Sequence, residues 1–447
     1  MRVQGKRAIV TVLVLGVVLI SCAIVAFRFL RTKQPNVIML MLDTLRADHL
    51  GYFGYERATS PNIDAFARES LALKYVVATA PWTPTSVATM FTGMYASSHG
   101  MLPPRKRADA QRNEFSLRRD LITLPEILKA HGYATSAIST NPWISATFGF
   151  ERGFDDFKNI IRARANKVTD EAILALNRLQ KGATPFFLYT HYLDPHDTYD
   201  PPSPYRERFS GPLKAVNVDP TMIEKLGLYD GEIAFLDHEL GRLFEYLKQK
   251  GLYDDTVIIV LADHGEQFLE HGATHHGKML HNEEVHVPMF FKIPQPAREV
   301  DYTVSLADFL PTLLDVLKIE RPKSIQGISL LDDENSRARQ GVFSEISSIS
   351  IYKAFTRFDG KKIIFDYGAI DGTAVAPATI QVFDAWKDRN EATPLHDEAL
   401  ERSLIKDYQA LYDIAVPKTK SSAVAAQPAP KVSDETLDQL KSMGYLQ

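Results

Sequence analysis

The sequence predicts an α/β fold: a central, mostly parallel sheet between helices, a smaller C-terminal α+β subdomain, and an N-terminal membrane helix. Three observations carry this expectation. Unbroken apolar runs at Val37–Leu42, Phe186–Thr190 and Thr256–Ala262 read as strands covered on both faces. Helical patterns alternate with those runs. Polar and ionisable residues follow each run, at the edge where open α/β sheets bind ligands.

In chain order, Ala8–Phe27 comes first: 20 uncharged residues, mostly Val, Ile, Leu and Ala. At about 1.5 Å per residue such a helix spans a hydrocarbon core of about 30 Å. It is longer than the apolar stretch of most cleaved signal peptides, which favours a retained anchor. Leu19-Ile20-Ser21-Cys22 resembles a lipidation site, and the small Ser21 and Ala23 suit an ordinary cleavage site, so processing stays open. Ser60-Pro61 opens a helix carrying Ile63, Phe66 and Ala67, with a serine cap and proline at its first position. Thr83 starts another, continued by Val87, Ala88, Met90 and Phe91 and stopped by Gly93. Leu236, Leu240, Leu243 and Leu247 mark one face of a long helix that Gly251 closes. Beyond about Lys323, strands at Ile351–Arg357 and Lys362–Phe365 flank a turn at Asp359-Gly360. Lys418–Pro430 reads as a linker before a terminal helix at Asp434–Met443. The organisation expected is an anchor or signal segment (1–34), a catalytic α/β domain (35–322), an α+β subdomain (323–417), and a linker with terminal helix (418–447).

The chain has 447 residues, 45% hydrophobic and 24% charged, within the globular range. Its single cysteine, Cys22, excludes an internal disulfide framework and any thiolate metal cluster, so metal chemistry must use oxygen and imidazole ligands. Residues 1–34 hold six cations and no acid, leaving 45 cations against 55 anions beyond them. That balance argues against a nucleic-acid partner.

Asp43, Asp263 and His264 follow the first and last apolar runs. Two carboxylates and an imidazole suit a divalent cation. Thr83, at a helix entrance, faces unpaired amides and the positive end of the helix dipole, which favour an alkoxide and a bound anion. A cation held beside Thr83 would lower its hydroxyl pKa and neutralise charge on a phosphate or sulfate ester. Taken singly, an aspartate at a strand end serves equally well as a cap or turn residue.

Pro35-Asn36-Val37, Asp43-Thr44-Leu45-Arg46-Ala47-Asp48, Ser60-Pro61-Asn62-Ile63-Asp64, Ala80-Pro81-Trp82-Thr83, Thr92-Gly93, Ser98-His99-Gly100, Asp194-Pro195-His196 and Asp263-His264-Gly265-Glu266 occur in that order. Together they resemble the sulfatase-like branch of the alkaline phosphatase superfamily, over about residues 35–320 and again at Leu440–Leu446. The resemblance implies the sandwich fold of that superfamily. It makes Asp43, Asp263 and His264 metal ligands and Thr83 the nucleophile that also touches the metal. It sets His196 near the leaving-group oxygen and Lys278 facing the ester, both suited to general-acid or charge-stabilising work. Read without the resemblance, His196 is equally a surface-loop histidine and Lys278 a solvated charge. His275, His276, His281 and His286 crowd the same stretch, and their spacing matches no ligand motif.

Departures from the family pattern bear on function. Sulfatases carry Cys or Ser in a C/S-x-P-x-R pattern, oxidised to formylglycine; this chain has Thr83-Pro84-Thr85-Ser86-Val87, and threonine cannot become formylglycine. Asp263-His264 stands where sulfatases commonly place Asp-Asn. Imidazole shifts preference from Ca²⁺, still admissible, toward Mn²⁺ or Zn²⁺. An unmodified threonine with Asp-His ligands looks more like the phosphodiesterases and membrane-bound phosphoethanolamine and phosphoglycerol transferases of the superfamily. The expectation is therefore an extracytoplasmic hydrolase or transferase, in a bacterial periplasm or at a cell surface. It uses one divalent ion and cleaves a phosphoester, with an envelope lipid or glycan as the anionic substrate. Two alternatives stand beside it: a sulfuric ester hydrolase working without formylglycine, and a degenerate binder of anionic glycans or lipid headgroups.

Overall fold

The computed structural model describes residues 34–103, 116–211, 219–332, 338–348, 350–369, 376–416, 436 and 438–440. The apolar run Ala8–Phe27, Cys22, the linker 418–430 and most of the expected terminal helix lie outside them. Among the described residues no helix is long and apolar enough to cross a membrane.

Ten strands of the main region are β1 (Asn36–Leu42), β2 (Leu71–Val77), β3 (Ala134–Ser139), β4 (Asp156–Asn159), β5 (Phe186–Tyr192), β6 (Thr256–Ala262), β7 (Gln267–Phe268), β8 (Thr274–His275), β9 (His286–Lys292) and β10 (Arg298–Ser305). Eight of them form one sheet in the order β10-β2-β9-β6-β1-β5-β3-β4. Only β9 runs against its neighbours; all other pairings in this sheet are parallel. Every residue of β1, β5 and β6 is buried, as the apolar runs that make up most of them require. The pair β7–β8 is a small separate ladder in the loop after β6.

The principal helices are α1 (Pro61–Arg68), α2 (Thr83–Thr92), α3 (Leu124–Ala130), α4 (Ala165–Leu179), α5 (Ile223–Gln249), α6 (Phe309–Val316) and α7 (Glu398–Ala415). α1 and α4 pack on α5, while α2 touches α3 and α6. Leu236, Leu240, Leu243 and Leu247 of α5 are all fully buried, on the face their spacing predicts. Gly93 ends α2 with φ of 68° and Gly251 follows α5 with φ of 65°, the left-handed conformation glycine adopts at no steric cost.

The start of α1 departs from expectation. Ser60 occupies the cap position but makes no side-chain cap bond. Its hydroxyl accepts from the Gly51 amide and donates to Asp64. The amides of Asn62 and Ile63 donate instead to Asp237 of α5, at 3.2 and 2.8 Å. A tertiary carboxylate thus replaces the local hydroxyl.

The C-terminal region adds an antiparallel sheet, β11 (Gly341–Ser347), β12 (Ser350–Arg357), β13 (Lys361–Ala369) and β14 (Thr379–Asp384), in that order. It packs with α7 around Phe343, Phe355, Phe365, Leu404 and Tyr408. The turn at Asp359-Gly360 joins β12 to β13, as expected. β11 attaches to the chain after β2, the Glu345 amide donating to the Thr79 carbonyl at 3.0 Å.

Leu240→Ala is expected to cost about 2–5 kcal/mol of stability, because the side chain is fully buried and its neighbours refill the space only in part. A urea midpoint equal to that of the unaltered chain, at constant m, would contradict the packing described.

Candidate active site

Strand register builds the centre of the site. Leu42 of β1 pairs with Ala262 of β6, so Asp43 and Asp263 are the next residues on adjacent parallel strands. Met41 pairs with both Leu261 and His191. Side chains alternate along a strand, so Asp43, Asp263 and His191 fall on one face.

Half of each carboxylate is committed to the protein. Asp43 Oδ2 accepts from His191 Nε2 at 2.9 Å and Asn141 Nδ2 at 2.8 Å. The Tyr189 hydroxyl lies 2.8 Å from His191 Nδ1 and fixes the tautomer that donates to Asp43. The Trp143 amide donates to Asn141 Oδ1, which turns the Asn141 NH₂ toward the acid. Asp263 Oδ1 accepts from the amides of Thr44 and His264 at 3.1 and 2.9 Å. The other two oxygens, Asp43 Oδ1 and Asp263 Oδ2, are buried and have no partner among the described residues. His264 Nδ1 is bonded to the Gly265 carbonyl at 2.9 Å, so Nε2 carries the lone pair. That nitrogen lies 3.5 Å from Asp263 Oδ2 and 4.0 Å from Asp43 Oδ1.

Asp43, Asp263 and His264 each offer a ligand atom within 4.8 Å of the others. The electrostatics match a cation site. Burial pushes the Asp43 carboxyl up, but the His191 hydrogen bond and the nearby imidazoles outweigh it and hold Asp43 below the usual carboxylate range. Burial, and then the charge on Asp43, pushes Asp263 above it. Two buried carboxylates this close resist joint ionisation, and a divalent cation between the orphaned oxygens and Nε2 relieves that conflict. The donor set fits an ion of the Mn²⁺ or Zn²⁺ type.

The turn after Asp43 is strained. Thr44 has φ of 56°, unusual for a β-branched residue. Tyr229 holds it there, donating to the Thr44 carbonyl at 2.7 Å and accepting from the Arg46 amide at 3.0 Å. Such strain persists only where the surroundings over-determine it.

Thr83 is the first residue of α2, a helix buried along its whole length. Three hydroxyls crowd its first turn. Thr85 donates to the Met101 carbonyl and Ser86 to the Ala80 carbonyl. Thr83 Oγ1 alone of the three meets one of the candidate ligands, 3.1 Å from His264 Nε2.

The remaining expected residues lie around this centre. His196 is buried, its Nδ1 2.5 Å from the Asp197 carbonyl, and it borders a cavity of about 230 Å³ that Arg162, Arg164, Asp194 and Glu232 also line. Burial lowers the His196 pKa, against the pull of Asp43. Lys278 is half-buried, and its amine donates to the Thr274 carbonyl at 2.8 Å. His276 sits between His264 and His196, its ring centroid 4.4 Å from the first and 5.1 Å from the second. His276 Nδ1 is 3.1 Å from Glu266 Oε1. Glu284 accepts from the amides of Gly277, Lys278 and Met279 and so shapes the loop carrying His276 and Lys278. Asn141 and the placement of His276 escaped the sequence reading. Asn141 follows a strand, as Asp43 does, but β3 is too rich in Ser, Thr and Ala to stand out.

Comparison with known proteins agrees with this architecture. The sulfatase family model matches residues 35–319. The arylsulfatase of Clostridium perfringens is 25% identical over 70% of this chain and 82% of its own length. The multifunctional alkaline phosphatase superfamily protein PehA of Trinickia caryophylli is 25% identical over 67% of this chain and 76% of its own. The phosphonate monoester hydrolase of Agrobacterium radiobacter superposes with a TM-score of 0.70 at 18% identity, over 85% of this chain and 96% of that one. A family model spanning residues 35–319, enzyme relatives matched over about three quarters or more of their own length, and a shared fold lead to one conclusion: the chain belongs to the sulfatase family of the alkaline phosphatase superfamily and is an enzyme.

Proposed function

We propose that the chain is a metal-dependent phosphoester hydrolase or transferase that uses Thr83, unmodified, as its nucleophile. The observation carrying this reading is the position of Thr83 Oγ1, 3.1 Å from His264 Nε2 at the head of a buried helix. In the proposed reaction Thr83 Oγ1 gives up its proton and bonds to phosphorus, the bond to the ester oxygen breaks, and the departing alkoxide takes up one proton, so the step is proton-neutral. Water or an acceptor alcohol then attacks phosphorus, the bond to Oγ1 breaks, and Thr83 recovers its hydroxyl proton. A divalent ion held by Asp43, Asp263 and His264 beside Thr83 supplies Lewis acidity, lowering the hydroxyl pKa and offsetting charge on the non-bridging oxygens.

His196, with Nδ1 turned to the Asp197 carbonyl and burial favouring its neutral form, is suited to accept the proton of the attacking water. Lys278 contributes fixed positive charge toward an anionic substrate, for which an envelope lipid or glycan is the candidate. Ala8–Phe27 serves in this reading as a membrane anchor that sets the catalytic region outside the cytoplasm. A second reading, sulfuric ester hydrolysis by the same threonine, draws support from the arylsulfatase relative.

Thr83→Ala is expected to lower kcat roughly 10³-fold or more with an unchanged circular dichroism spectrum, while Thr83→Ser keeps measurable turnover. Full activity in Thr83→Ala would remove the nucleophile from this account. Rates on paired aryl phosphodiester and aryl sulfate substrates, with Mn²⁺, Zn²⁺ or Ca²⁺, separate the two readings; a higher kcat/KM on the sulfate favours the second. Asn141→Leu deletes one donor to Asp43 and is expected to weaken activation by free Mn²⁺ about 10- to 100-fold. An unshifted activation curve would mean that Asn141 does not orient the ligand.

A further inference from the structure

A second cluster of ligating side chains lies outside the centre described above, in the loop between β6 and β9. His271 stands between β7 and β8. His281 and Glu283 stand at the single helical turn Asn282–Val285. One ligand atom from each of His271, His281 and Glu283 falls within 4.8 Å of the others. His281 is 4% exposed, and neither of its ring nitrogens has a hydrogen-bond partner among the described residues. Burying an imidazole with both nitrogens unpaired is unfavourable, and such a group calls for a ligand.

We propose that His271, His281 and Glu283 form a second metal site, for a Zn²⁺-class ion, which clamps together the two ends of the loop carrying His276 and Lys278. Two imidazoles and one carboxylate are borderline donors that favour such an ion over Ca²⁺ or Mg²⁺. The surroundings already orient His271: its Nε2 lies 3.2 Å from the Glu391 carbonyl, which turns Nδ1 toward Glu283 Oε1 at 2.5 Å. The ion displaces the proton shared by Nδ1 and the carboxylate, so binding releases that proton to solvent. The rings of His271 and His281 now lie face to face, 3.6 Å between centroids. Ligation requires His281 to turn about its ring bond, and its ring nitrogens have no hydrogen bond to lose. A cavity of about 210 Å³, lined by His271, Glu270, Phe383 and Glu391, gives an entry path and room for a water ligand.

The site is wired to both sides. The Asn282 amide donates to Glu391 Oε2 at 2.8 Å, and the Glu266 amide donates to the Glu283 carbonyl at 2.9 Å. A β-carbon on Gly265 would meet that carbonyl at 2.0 Å, so the backbone of the second cluster rests directly against the residue after His264.

The test is metal counting on the full chain, stripped with chelator, dialysed against Zn²⁺ and assayed by mass spectrometry. The unaltered protein is expected to hold two equivalents. His281→Gln and Asp263→Asn each hold one, and the double variant holds none. Cobalt loaded into Asp263→Asn is expected to give a visible ligand-field spectrum that vanishes when His281→Gln is added. One equivalent in the unaltered chain, or two in His281→Gln, overturns the proposal. Should His281→Gln not fold, His271→Asn gives the same count on a half-buried side chain, and two equivalents there are equally decisive against it.

Discussion

The constraint on which everything near the site depends is the parallel register of β1 and β6. Pairing Leu42 with Ala262 sets two aspartates side by side where both strands end, in a fully buried setting. The cost of that arrangement is lowered piece by piece. His191 and Asn141 satisfy one oxygen of Asp43, and the amides of Thr44 and His264 satisfy one of Asp263. What is left over, two bare oxygens and a lone pair on His264 Nε2, is a coordination site by subtraction. A one-residue slip between these strands would send one carboxylate to the opposite face.

Much of this was legible in the sequence because burial on both faces leaves a strong trace. β1, β5 and β6 are buried throughout and carry long apolar runs, each of which stops abruptly at an ionisable residue. Thr83 was equally readable, since a threonine followed by helical apolar spacing and a closing glycine marks a helix entrance. The structure brings Thr83, Asp43, Asp263 and His264 together, with His276 between His264 and His196.

The rest was hidden for identifiable physical reasons. β3 carries Ser, Thr and Ala, so its end at Asn141 gives no hydrophobic signal. β9 contains Pro288, which argues against an inner strand, yet β9 lies between β2 and β6. The register shift in the β2–β9 pairing falls around Pro288, and the β6–β9 pairing ends at Met289, so no ladder bond is asked of the proline. β11 is buried on both faces, but Ser344 and Glu345 interrupt its apolar run, and α7 buries only one side; the signal available for α7 was Asp397, which caps it by accepting from Ala399 and Leu400. Ser60 was misread as a cap because the competing carboxylate comes from a residue far along the chain.

That last substitution reaches into assembly of the molecule. The first turn of α1 has its amides answered by Asp237, about 175 residues downstream. A nascent chain lacking α5 presents that turn with bare donors, so the two segments must come together before either is finished. Loop closure on that scale is paid before the contact returns anything, so the cap contributes to α1 only once α5 is in place. The amino-terminal third of the domain is therefore not a unit that ripens first; it is completed from behind.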